Sequence, residues 1–144
     1  MKVFIASDHA GFALKQSLLE YAKENSALEL IDLGPQSTAS VDYPDFAHLL
    51  CEQVATQEGA LGVLVCGTGI GMSMVANRHS KIRAALCYNS YAAQMARAHN
   101  NANVLCLGER VIGQGLAEAI FDRFIEQPFE GGRHQRRIDK FGIE

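Results

Sequence analysis

Cys66 closes an apolar run, Leu61-Gly62-Val63-Leu64-Val65, and opens a glycine loop, Gly67-Thr68-Gly69-Ile70-Gly71. The run has the length and composition of a buried strand, so the thiol and the loop are expected at its carboxyl end. A thiol there can act as a base. Successive N–H groups in a glycine turn ahead of a helix point at one place and hold negative charge. The same helix terminus favours thiolate over thiol. Together they suit removal of a proton beside a carbonyl, with the enediolate charge carried by the amides from Gly67 to Gly71. Taken alone, Cys66 would read as a core residue and the glycines as a structural turn. The loop lacks the GxGxxG spacing, follows the third strand rather than the first, and has Asn89 where a ribose-binding acid would stand. A nicotinamide or flavin site is therefore not expected.

A second polar group, Ser7-Asp8-His9 followed by Gly11, ends the first apolar run. Asp8 and His9 can orient sugar hydroxyls or a phosphate; the alternative for Asp8 is a helix cap. His99, in His99-Asn100-Asn101, can exchange protons near neutral pH, or the three residues can simply end a helix. Arg133 and Arg137 stand four apart and share a face if helical, a spacing that suits phosphate, as does Arg110 after the last strand; a solvated basic tail is the alternative. In an open parallel sheet, ligands bind beyond the carboxyl ends of the strands. Asp8 and Cys66 share that rim. His99 precedes a strand and belongs to the opposite rim, about 17 Å away for a five-residue strand. If His99 and Cys66 serve one substrate, a second subunit must supply His99, which predicts an obligate dimer with shared sites.

The elements that must hold these residues alternate along the chain. Strands are expected at 3–6, 28–33, 61–65, 83–87 and 103–107, with helix-length segments at 12–23, 46–57, 72–78 and 91–98 and another stretch at 111–125. Strands this apolar on both faces, alternating with helices, imply an α/β chain. The expected form is a single Rossmann-like, doubly wound domain over residues 1–144, with a five-stranded parallel sheet and helices on both faces. Residues 128–144 form a C-terminal helical tail carrying arginines. The 144 residues, with a net charge of −3, favour one domain and argue against a general nucleic-acid binder. The tail lacks the interleaved aromatics of a nucleic-acid platform. No stretch approaches the ~20 apolar residues of a membrane span. The short apolar start reads as a strand and not a leader. The four cysteines form no CxxC pair, so a zinc site is not expected and free thiols in a reducing cytoplasm are.

The combination of Ser7-Asp8-His9-Ala10-Gly11-Phe12, Asp42-Tyr43-Pro44, Cys66-Gly67-Thr68-Gly69-Ile70-Gly71, Arg97-Ala98-His99-Asn100, Gly108-Glu109-Arg110-Val111 and Glu130-Gly131-Gly132-Arg133-His134 resembles the type B ribose-5-phosphate isomerases. That family also holds galactose-6-phosphate and allose-6-phosphate isomerases. The resemblance implies an aldose–ketose isomerase of pentose phosphate metabolism, with a small sugar phosphate as substrate and no metal or organic cofactor. It implies that Cys66 moves the proton between the first two sugar carbons, that Thr68 lies near the reacting oxygens, and that His99 opens the furanose ring. Asp8, His9, Tyr43 and Asn100 would bind hydroxyls or assist ring opening; Arg110, Arg133 and Arg137 would bind phosphate. The assembly would be a homodimer or a tetramer. A six-carbon sugar phosphate isomerase and a non-catalytic sugar-phosphate or nucleotide sensor are the competing functions.

Overall fold

In the expected order, strands and helices follow one another through a computed structural model that describes residues 1–142. The last two residues of the expected 1–144 domain lie outside the described residues. The elements are β1 (Lys2–Ser7), α1 (Phe12–Ala22), β2 (Glu29–Asp32), α2 (Tyr43–Thr56), β3 (Leu61–Cys66) and α3 (Ile70–Ala76). They continue as β4 (Ala84–Leu86), α4 (Ser90–Asn100), β5 (Val104–Gly108), α5 (Gln114–Glu126) and α6 (Arg133–Ile138). All strand pairings are parallel, in the order β2-β1-β3-β5-β4. The chain leaves β1 towards one edge and β3 towards the other. The direction therefore switches between β1 and β3, where a ligand crevice is expected at the carboxyl ends.

Alternation along each central strand feeds two cores. Val3, Ile5, Val63, Val65, Leu105 and Leu107 pack with residues of α1, α4 and α5. Phe4, Ala6, Leu64, Cys66, Val104 and Cys106 pack with residues of α2 and α3. Residues i and i+2 share a face of a strand. This period places the Cys66 side chain on the α2–α3 side.

Several boundaries differ from expectation. Helix α2 starts at Tyr43, not Phe46, because Pro44 fits the first turn, where no N–H is needed. Helix α3 starts at Ile70, directly after a left-handed Gly69. Strand β4 is reduced to three residues. The stretch from Val111 becomes helical only after Gly113. Helix α4 runs on through His99 and Asn100, so both belong to its last turn instead of a connection. Asn101 ends it in left-handed geometry at φ 45°. Asn89 accepts the Ala92 N–H at 2.8 Å and caps the start of α4.

One buried ion pair ties α1 to the sheet edge. Lys15, fully buried, places its Nζ 2.8 and 2.9 Å from the Asp32 carboxylate oxygens and 2.8 Å from the Pro35 carbonyl. Removing one partner of such a pair strands the other charge, so Asp32→Ala is expected to cost about 3–5 kcal/mol in denaturant unfolding. Lys15→Met should cost less, because Asp32 keeps the Gly34 N–H at 2.9 Å and some solvent. Equal losses for the two variants would contradict the stranded-charge argument.

Candidate active site

Strand β3 ends at Cys66 beside Gly108 of β5, and Val65 pairs with Ser7 of β1. The two strand-end motifs expected to share a rim do so. The Asp8 N–H donates to the Val65 carbonyl at 3.2 Å. Asp8 Oδ1 accepts the Gly11 N–H at 3.0 Å. Asp8 therefore shapes the turn before α1, while Gly11 itself is the N-cap residue. His9 Nδ1 accepts the Val41 N–H at 3.2 Å, which places the proton of the neutral ring on Nε2 and turns a donor away from the loop 34–42.

The Cys66 sulfur accepts the Gly69 N–H at 3.1 Å. Cys66 is only 5 % exposed, so the thiol sits at the floor of the loop, against the α2–α3 core, instead of projecting into solvent. Gly69 has φ +80°, a left-handed conformation that glycine adopts without strain. The N–H groups of Gly67 and Thr68 donate to no backbone acceptor among the described residues. Thr68 Oγ1 accepts the Ile70 N–H at 3.2 Å. Close by, a methyl group on Gly67 would lie 3.4 Å from Arg110 Nη1, and one on Gly71 would lie 2.7 Å from Tyr43 Cζ. The loop is thus bordered by a guanidinium on one side and a phenol on the other. Burial pushes Cys51 up to about 12 and Cys87 to about 11, and raises Cys106 well above the usual thiol range. Those three cysteines remain protonated core residues, as expected for Cys87 and Cys106.

Two further residues, to which sequence reasoning assigned no role, brace this rim. Tyr88 donates its hydroxyl to the Thr68 carbonyl at 2.9 Å. Glu109 accepts the Leu14 N–H at 2.6 Å, while its own N–H donates to the Cys66 carbonyl at 2.9 Å. Glu109 therefore ties the first turn of α1 to the end of β3.

The remaining predicted residues assemble elsewhere. His99 and Asn100 lie in the last turn of α4, which leads into the amino end of β5. The Glu130 N–H donates to the Ala98 carbonyl at 3.0 Å and docks the tail there. Arg133 and Arg137 are on α6, four residues apart on one helix as expected. The imidazoles of His99 and His134 stack with centroids 4.2 Å apart and planes 10° apart. Glu130 Oε2 stands 3.8 Å from His99 Nε2 and 3.5 Å from His134 Nε2. Burial, aided by His99 and Arg133, holds His134 below the ordinary imidazole range, and Glu130 opposes that shift. His134 and Glu130 were visible only as parts of a motif, without a role. One chain thus gathers the predicted residues into two separate groups. Asp8, His9, Tyr43, Cys66, the loop and Arg110 occupy the carboxyl rim; His99, Asn100, Arg133 and Arg137 gather around the entry to β5.

Similarity to known proteins extends along nearly the whole chain. The sequence model of the ribose/galactose isomerase family matches residues 3–141. Ribose-5-phosphate isomerase B of Escherichia coli is 42 % identical over 138 residues, 96 % of this chain and 92 % of that protein. Ribose-5-phosphate isomerase B from Clostridium thermocellum superposes with a TM-score of 0.95 at 47 % identity, covering 99 % of this chain and 95 % of the other. The Mycoplasma genitalium enzyme, solved with bound ribulose-5-phosphate, superposes with a TM-score of 0.91 at 46 % identity, covering 96 % and 92 %. A family match over residues 3–141 and identity above 40 % along nearly the full length of both chains lead to one conclusion: the chain belongs to the ribose/galactose isomerase family.

Proposed function

We propose that this chain interconverts D-ribose 5-phosphate and D-ribulose 5-phosphate as an aldose–ketose isomerase, with Cys66 as the base and the glycine loop as the oxyanion cradle. The contact that carries the reading is the Gly69 N–H on the Cys66 sulfur at 3.1 Å, beneath a loop with two further amides free of backbone acceptors. The relatives named above supply the substrate class: sugar phosphates with five carbons.

The chemistry follows from the groups present. The closed sugar must first open, which needs a proton moved at the ring oxygen; His99 does this. Cys66 then takes the proton from C2 of the aldose. The electron pair left behind becomes the C1–C2 double bond, and the C1 carbonyl oxygen takes the negative charge. Peptide N–H groups of Gly67, Thr68 and Gly71 hold that charge, with the Thr68 hydroxyl nearby, while those of Gly69 and Ile70, already given to the Cys66 sulfur and to Thr68 Oγ1, steady the loop. Returning the same proton to C1, while the O2 hydroxyl proton passes to O1, completes the ketose. The sequence is redox-neutral within the sugar and needs no added oxidant. Asp8, His9, Tyr43 and Asn100 bind the hydroxyls, and Arg110, Arg133 and Arg137 bind the phosphate as charge-assisted donors.

Because the two groups lie on different rims, each working site takes Cys66 and Arg110 from one subunit and His99, Arg133 and Arg137 from its partner. Exposed apolar residues beside the loop support docking there. Ile70 and Met74, one helical turn apart on α3, are 42 % and 67 % exposed, and Tyr91, at the start of α4, is 71 % exposed. A homodimer is the minimum assembly. We read the chain as one catalytic domain whose tail carries the phosphate-binding arginines. Among the described residues no helix is long and apolar enough to cross a membrane. Four free thiols suit a reducing compartment, and we place the enzyme in the cytoplasm.

The test is a comparison of kcat/KM for ribose 5-phosphate, allose 6-phosphate and galactose 6-phosphate. Ribose 5-phosphate should lead by about tenfold or more, the discrimination that one extra carbon and hydroxyl typically gives. A hexose phosphate turned over faster would reject the pentose reading and keep the family.

A further inference from the structure

The ring-opening histidine is also one of three metal-type donors. We infer that His99, Glu130 and His134 form a site for a divalent transition cation of the zinc or cobalt type, and that a bound cation takes His99 out of service. Among the described residues this is the one group of three such side chains whose donor atoms all lie within 4.8 Å of one another. Two imidazole nitrogens and a carboxylate are a donor set that zinc accepts, with a fourth position left for water. In a tetrahedral site with bonds of about 2.1 Å, neighbouring donors stand about 3.4 Å apart. Glu130 Oε2 is already 3.5 Å from His134 Nε2 and 3.8 Å from His99 Nε2.

One adjustment is needed. Stacked rings hold their lone pairs in parallel planes, so both cannot aim at a single ion. His134 is almost buried, whereas the His99 side chain is 39 % exposed and has room to turn. Binding therefore breaks the stack and rotates His99 away from its catalytic pose. Arg133 and Arg137 of α6 oppose a cation here, which keeps the affinity below that of a structural zinc site. The inhibition rests on the ring-opening role proposed for His99; the binding does not. The exposed pair His48 and His79, with Nδ1 and Nε2 2.8 Å apart, offers only two donors and serves as the control.

The experiment uses the intact protein, Co2+ as the spectroscopic probe and Zn2+ as the inhibitor. One Co2+ per chain should produce visible d–d absorption and should broaden the ring protons of His99 and His134 selectively in NMR. Glu130→Gln and His134→Gln should weaken binding by tenfold or more, while His79→Gln and Cys66→Ala should leave it unchanged. Zn2+ should abolish isomerisation of the wild-type protein, and a chelator should restore it. Broadening centred on His48 and His79, or a thiolate-to-cobalt band lost in Cys66→Ala, would overturn the site. The NMR readout decides even if a variant fails to fold. Cobalt seated at the cluster with turnover unchanged would overturn the inhibition and, with it, the ring-opening assignment of His99.

Discussion

Cys66→Ala is expected to lower kcat for ribose 5-phosphate isomerisation by about 10³-fold, within the range that general acid–base catalysis supplies. The variant removes the atom proposed to take the proton from C2 and, with it, the acceptor of the Gly69 N–H. Alanine keeps the strand, and the void left at the floor of the loop is a single sulfur in size. Arg110 and the arginines of α6 remain, so the variant should still bind sugar phosphate with nearly unchanged affinity. That separation of turnover from binding distinguishes an isomerase from a sugar-phosphate sensor. A folded Cys66→Ala protein with wild-type turnover would remove the thiol from the chemistry.

Gly69→Ala should damage both the base and the cradle. A methyl group there would stand 2.6 Å from Leu86 Cδ1 and 3.0 Å from the Leu107 carbonyl carbon and oxygen. The leucine side chain can yield; the β5 backbone cannot without disturbing the sheet. The positive φ adds a conformational cost of roughly 1–2 kcal/mol for any residue with a Cβ. Relief requires the loop to move, and the Gly69 N–H then leaves the Cys66 sulfur. Loss of one preorganised donor typically costs about 10²–10³ in kcat, and here the displaced amide also supports the base. Turnover should therefore fall by more than about 10²-fold, with a lower melting temperature. Gly113→Ala, where nothing lies within 4 Å of the added methyl, is the matched control and should leave kcat unchanged. Loss of activity in the control alone would refute the steric account.

The parallel sheet was legible because its central strands are apolar at successive positions, which only a sheet covered on both faces demands. The weakest expectation was β4, where Arg83 and Cys87 flank a strand of just three paired residues at the sheet edge. The closeness of the Cys66 thiol to the loop amides was legible because they are contiguous in sequence. Even the split between Cys66 and His99 followed from strand direction alone. Contacts made by tertiary folding were not legible. Nothing local to Tyr43 or Arg110 says that one lies over Gly71 and the other beside Gly67. Tyr88 and Glu109 brace the rim through backbone groups far away in sequence, and no spacing rule announces them. The tail gave the face shared by Arg133 and Arg137 but not where it docks. That depends on the bond between the Glu130 N–H and the Ala98 carbonyl.

Sharing of each site between subunits is tested most directly by mixing two inactive proteins, Cys66→Ala and His99→Asn, under conditions that exchange subunits. Random re-pairing makes about half the dimers mixed, and each mixed dimer holds one intact site of two, so activity should return to about a quarter of wild type. Heavy-isotope labelling of one parent, followed by native mass spectrometry, verifies the exchange. Activity that stays at the level of the separate variants, with mixed dimers plainly formed, would contradict a site built from two chains.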